Sequence, residues 1–112
     1  MELDQKTLRQ IREIGGDQLL RRLVDLFVEN TPMRLEEMRR ALAGEDWTRA
    51  ALAAHSLRSS SVTLGATELA SRAADIESLA NEKDLGPVEA ALPDLENLAR
   101  AAQSSLRALL GG

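Results

Sequence analysis

The sequence predicts an all-α protein: an up-and-down antiparallel four-helix bundle with a short additional N-terminal helix. Three observations predict it. Ala, Leu, Arg and Glu, all strong helix formers, dominate the 112 residues. Tyrosine is absent, β-branched residues are few and Phe27 and Trp47 are the only aromatics, which leaves little material for a sheet. Apolar residues recur at spacings of three and four along segments joined by short connections, the pattern of neighbouring amphipathic helices. The length suits one modest core, so residues 1–112 are read as a single domain.

The elements follow in order. Asp4 is the N-cap of a short helix over about 5–13, ended by Gly15-Gly16, with Leu8, Ile11 and Ile14 as its apolar face. Asp17 then caps a long helix over about 17–43, in which Leu20, Val24, Phe27, Thr31, Leu35, Met38 and Leu42 form one stripe. Pro32 has no N–H for the Val28 carbonyl, which predicts a kink. Two helices would also fit, but the stripe stays in register through the proline and favours one bent helix. Gly44-Glu45 is a tight connection to Asp46, the cap of a helix over about 47–63. Leu64-Gly65 joins this to a helix over about 66–82, and polar Asn81–Gly86 forms a loop. The last helix starts near Pro87 and runs over about 87–110. It buries Leu92, Leu95, Leu98 or Ala99, Ala102, Leu106 and Leu109, and Pro93 bends or frays its first turn.

Composition removes several functions. With no cysteine there is no disulfide, thiolate nucleophile or cysteine-bound metal, which fits a cytoplasmic protein. No signal peptide is visible, and no apolar run approaches the ~20 residues of a membrane span. The net charge of −4, with acidic and basic residues intermixed, argues against a nucleic-acid partner. One histidine without cysteine cannot assemble a typical zinc site. No Gly-rich phosphate loop is present, so the chain is not expected to bind ATP, and no serine sits on a strand-to-helix elbow.

The third helix of this scheme carries the remaining chemistry. Trp47, Ala50, Ala54, Leu57, Ser61 and Leu64 mark a buried seam. At ~100° per residue, His55 lies about 130° from the centre of that seam and points mainly to solvent. Its neighbours are Ala51, Leu52, Arg58 and Ser59, with Val62 farther along: a small or apolar patch that a partner can cover. Val28, on the preceding helix, is a further candidate for partner contact. A lone exposed histidine is commonly only a surface residue. A neutral imidazole, however, is a competent nucleophile toward phosphorus near neutral pH, and Arg58 can compensate phosphoryl charge.

The segment Ala54-His55-Ser56-Leu57-Arg58-Ser59-Ser60-Ser61-Val62-Thr63-Leu64-Gly65-Ala66 resembles the signature of the histidine phosphotransfer (HPt) domain family of two-component phosphorelays. That signature reads roughly Ala-His-x-Leu-Lys-Gly-Ser-Ser-x-x-Leu-Gly-Ala. Gly15-Gly16-Asp17, Phe27, Thr31-Pro32, Leu35, Ala41-Leu42 and Asp46-Trp47 upstream, with Leu69-Ala70 and Ile76-Glu77 downstream, extend the similarity over about residues 3–80. The last helix matches only by pattern.

The resemblance implies that His55 accepts a phosphoryl group from a receiver-domain aspartate and passes it to another receiver domain. Arg58 stands at the family's basic position, usually lysine, and would stabilise charge. Ser59 replaces a frequent glycine whose smallness lets the receiver approach. Glu77 matches a position that in some relatives holds a hydrogen-bonding side chain near the histidine; it would orient the imidazole, or be a plain surface glutamate. Docking would involve Ser59, Val62, Ala51, Leu52 and Val28. The implied protein is a phosphocarrier and not an enzyme with its own kinase domain. It binds no cofactor or metal itself, Mg²⁺ belonging to the receiver. Its partners would be response-regulator receiver domains and a hybrid sensor histidine kinase, with no nucleic acid or membrane, and the chain is expected to be a monomer. A dimerising kinase helix pair fits less well, because Ser56 and Ser60 stand where that family has an acidic residue and a proline. The rival of a different class is a helical interaction module with an incidental histidine.

Overall fold

The computed structural model describes residues 2–111. They form α1 (Gln5–Ala43), α2 (Trp47–Thr63), α3 (Thr67–Asn81) and α4 (Leu85–Leu109), with no strand among the described residues. Each helix packs on its neighbour in sequence, and α4 returns to α1. Arg39 meets Glu96 near one end of that last pair and Val28 meets Gln103 farther along, so α1 and α4 run in opposite directions. A continuous aliphatic core lies between the four, with Leu8, Leu20, Met38, Leu57, Leu69, Ile76, Leu95 and Leu106 all fully buried.

The stretch expected as two helices, 5–13 and 17–43, is one element of 39 residues with a break at Gly16, where φ is 70° and ψ is −168°. The break shortens the molecule. At ~1.5 Å per residue a straight helix of that length would reach ~58 Å, whereas the molecule is only 42 Å long. Residues 17–43 alone fill that length, at ~40 Å, and the preceding turns bend away at a glycine that accepts positive φ.

Three local expectations need correction here. Ile14 is 81% exposed, although Leu8 and Ile11 are buried. A strict three-residue spacing drifts by ~60° per step, so Ile14 has rotated ~120° from Leu8 and off the core. Asp17 pairs with Arg12 at 3.0 Å across the break, so its carboxylate bridges the two segments. The fourth helix starts at Leu85, ahead of Pro87. Lys83, at φ 58°, ends α3 in a left-handed residue, and extended Asp84 begins α4 at once. Pro87 then lies within the first turn, where its missing N–H costs no bond.

Pro32 lies inside α1 without ending it. The Val28 carbonyl that it leaves unserved accepts a hydrogen bond from Gln103 Nε2 of α4 at 3.2 Å. Asp4 and Asp46 cap α1 and α2 by accepting from the Lys6 and Arg49 amides. Gly65, at φ 73°, makes the turn between α2 and α3 and accepts at 2.8 Å from the Asp4 amide through its carbonyl. The start of α1 is thereby tied to the end of α2.

Candidate functional site

The site begins with the seam that sets the spacing of α2 and α3. On α2 this seam is Ala50, Ala53, Ala54, Leu57 and Ser61; on α3 it is Leu69, Ala70, Ala73, Ile76 and Ala80. Alanines dominate both faces, so the two axes can approach closely. Ser61 is fully buried and satisfied within its own helix, donating to the Leu57 carbonyl at 2.7 Å. Trp47, the first residue expected on the seam, is only half-buried and packs at its edge.

Outside the seam the close approach brings three side chains together. His55 Nδ1 lies 3.2 Å from Glu77 Oε2, and the Arg58 guanidinium donates to Glu77 Oε1, also at 3.2 Å. One carboxylate of α3 therefore holds two side chains of α2, one with each oxygen. The His55 side chain is 53% exposed and that of Glu77 only 23%. A carboxylate only accepts, so the partner assigns the ring proton to Nδ1 and leaves the lone pair on Nε2. The arrangement is an exposed imidazole with one ring nitrogen held by a carboxylate, the other left open, and a guanidinium beside it.

Leu52, Ser59 and Val62 share the exposed face of α2 with His55; Leu52 is 62% and Val62 58% exposed. Ala51 is half-buried and lines a shallow groove beside the imidazole with Leu52, Glu77, Thr48 and Asn81. Val28 does not join this group. It is half-buried against the core, on the stretch of α1 that α4 covers through Gln103. Its place on the α1 surface nearest α2 is taken by Leu23 and Leu26, which with Phe27, Asn30, Ser60 and Thr63 line a cleft between the two helices. Sequence reasoning missed Thr48, Asn81 and this cleft. A signal for the cleft exists: Leu19, Leu23, Leu26 and Asn30 repeat at four and three, one residue out of step with the main stripe.

The bundle displays a carboxylate-held imidazole on one open helix face, with a guanidinium bonded to the same carboxylate. A family model for the Hpt domain matches residues 22–109, and the chain belongs to that family. Among solved structures it is similar to histidine-containing phosphotransfer protein B (HptB) from Pseudomonas aeruginosa PAO1. The TM-score is 0.90 at 25% identity, over 97% of this chain and 94% of the other. A search of curated proteins finds no match. The protein therefore functions in histidine phosphotransfer within phosphorelays. Hpt proteins are phosphocarriers rather than kinases, and receiver domains and kinases are the kinds of partner that the family implies. No helix among the described residues is long and apolar enough to cross a membrane.

Proposed function

We propose that His55 is the phosphorylated residue and that the chain shuttles phosphoryl groups between receiver domains, without kinase activity of its own. The observation that carries this reading is the Glu77 carboxylate on Nδ1, which leaves the Nε2 lone pair of an exposed imidazole free to attack. In the forward step Nε2 attacks the phosphorus of a receiver aspartyl phosphate, and the P–O bond breaks toward the aspartate carboxylate. Phosphoryl transfer requires in-line positioning and compensation of charge on the phosphoryl oxygens. Arg58, one turn from His55, supplies part of that compensation from this chain, and the receiver contributes Mg²⁺. A second receiver aspartate then attacks the phosphohistidine. A hybrid sensor kinase is the upstream source, and Leu52, Ser59, Val62 and Ala51 form the surface on which the receiver seats. The carrier acts as a monomer in the cytoplasm and binds no cofactor of its own.

The test is incubation with a phosphorylated receiver domain, followed by detection of acid-labile, alkali-stable phosphate on this chain. His55→Gln is expected to acquire no label while keeping its helicity. Equal labelling of both proteins would overturn the assignment and favour an interaction module with an incidental histidine.

A further inference from the structure

We infer, resting on the reading of His55 as acceptor, that Glu77 retains the proton on Nδ1 while Nε2 carries the phosphoryl group, so that the loaded side chain is a phosphoryl-imidazolium. Glu77 is then a positioning residue for the outgoing step as well as for the tautomer of the free ring.

Proton balance frames the choice between the possible loaded forms. In the tautomer that donates to Glu77, the reacting ring has a proton on Nδ1 and a lone pair on Nε2. When that lone pair forms the N–P bond, the acyl phosphate's P–O bond breaks and its electron pair stays on the receiver carboxylate. The ring gains one positive charge and still holds the Nδ1 proton. Two fates are open. If the proton leaves to water, the product is a neutral phosphoryl-imidazole, whose departing group in the next transfer would be an imidazolate anion. If the proton stays, attack by the next aspartate breaks the N–P bond toward Nε2 and releases neutral imidazole directly. Only the second route runs in both directions without fetching a proton.

The structure favours retention. Glu77 Oε2 sits 3.2 Å from Nδ1, and the Glu77 side chain is only 23% exposed, so its charge is partly shielded from water. An anion held at this distance stabilises the cationic ring. The charged groups bonded to this site are Arg58 from α2 and Glu77 from α3. The other polar residues lining the groove, Thr48 and Asn81, do not titrate, and α1 and α4 contribute none of its lining. Arg58 bonds the second oxygen of the same carboxylate and so draws part of its charge away from the ring. The pair sets the acidity of the loaded histidine between two limits: too weak a pull loses the proton, and an undivided pull holds the cation more firmly.

The experiment uses the full chain with ¹⁵N-labelled histidine, loaded with phosphoramidate as chemical donor and followed by ³¹P and ¹⁵N NMR from about pH 6 to about pH 9, a range spanning the imidazole titration. In Glu77→Gln the amide oxygen can still accept from Nδ1, while the amide nitrogen cannot accept from Arg58. The variant therefore removes the charge and the Arg58 bond together, and Arg58→Gln serves as the control for the latter. The loaded wild type is expected to keep its Nδ1 proton to a pH about one unit higher than Glu77→Gln, a tenfold difference in acidity. Return transfer to an unphosphorylated receiver should slow in Glu77→Gln relative to wild type as pH rises, with the ratio growing by up to about tenfold once pH exceeds both Nδ1 titrations. Arg58→Gln is expected to move the Nδ1 titration further upward. Identical titrations for wild type and Glu77→Gln would overturn the inference alone. Absence of any phosphohistidine signal on wild type would overturn the acceptor reading and this inference with it.

Discussion

Gln103→Ala, made with and without Pro32→Ala, tests how α1 tolerates its proline. Pro32 cannot donate to the Val28 carbonyl, and Gln103 does so in its place at 3.2 Å from a half-buried position on α4. A neutral hydrogen bond of this kind contributes about 1 kcal/mol, and leaving the acceptor unserved costs a similar amount. Gln103→Ala alone should therefore lower stability by about 1–1.5 kcal/mol, or the midpoint temperature by about 4–6 °C for a chain of this size. In the Pro32→Ala background the backbone N–H restored at that position bonds the Val28 carbonyl within the helix, four residues back. Gln103→Ala should then cost only a few tenths of a kcal/mol, giving a coupling of about 1 kcal/mol in the cycle. Urea denaturation of the four proteins, compared at equal m-values, measures this directly. An equal cost of Gln103→Ala in both backgrounds would refute the substitution of an interhelical bond for the missing intrahelical one.

Gly65→Ala should destabilise by about 1–2 kcal/mol from its φ of 73° alone. It should cost more because the added Cβ would stand 3.0 Å from the Asp4 carbonyl oxygen; thermal unfolding checks both, and a neutral result would contradict the turn geometry. Asp4 is held below the usual carboxylate range, first by the Thr7 hydroxyl that donates to it. A depressed folded value means that its support for the start of α1 is complete above the unfolded value, near 3.8, and is lost as pH falls through and below it. The protection of the Lys6 and Thr7 amides, taken relative to their intrinsic exchange rates at each pH, should therefore fall at acid pH in wild type and be insensitive to that change in Asp4→Asn. Arg58→Ala should slow phosphoryl uptake from a receiver by about tenfold with helicity unchanged, the size of one charge-assisted contact at the reacting centre. A loss of helicity in that variant would make Arg58 structural instead.

What could be read from the chain alone divides along a physical line. The α2 seam was legible because burial there follows the helical repeat, a property of one segment. His55 was legible as exposed for the same reason. Ile14 misled because a purely three-residue spacing looks apolar on one side while drifting around the helix. Asp17 misled because its carboxylate had two possible partners, and Arg12 is brought near only by the break at Gly16. Val28 was misplaced because which flank of α1 faces α2 or α4 is decided by how the bundle closes. Glu77 could be suspected only through family resemblance; its contact with His55 requires the α2–α3 distance, which no single helix encodes. Buried alanines on both helices, among them Ala50 and Ala54 of α2 and Ala70 and Ala73 of α3, permit that close approach.

Those alanines have a consequence for evolution and engineering. A methyl group has no rotamers, so the contact that holds histidine and carboxylate in register has no slack with which to absorb an added carbon. Enlarging Ala73, a fully buried residue one turn before Glu77 on α3, should act like a shim between two plates and part His55 from Glu77 without altering either. The carrier's chemistry should thus be adjustable through the thickness of its alanine seam, without touching Leu52, Ser59 and Val62 on the exposed face. Packing between the helices and exposure on the outer face are separate levers on the same helix.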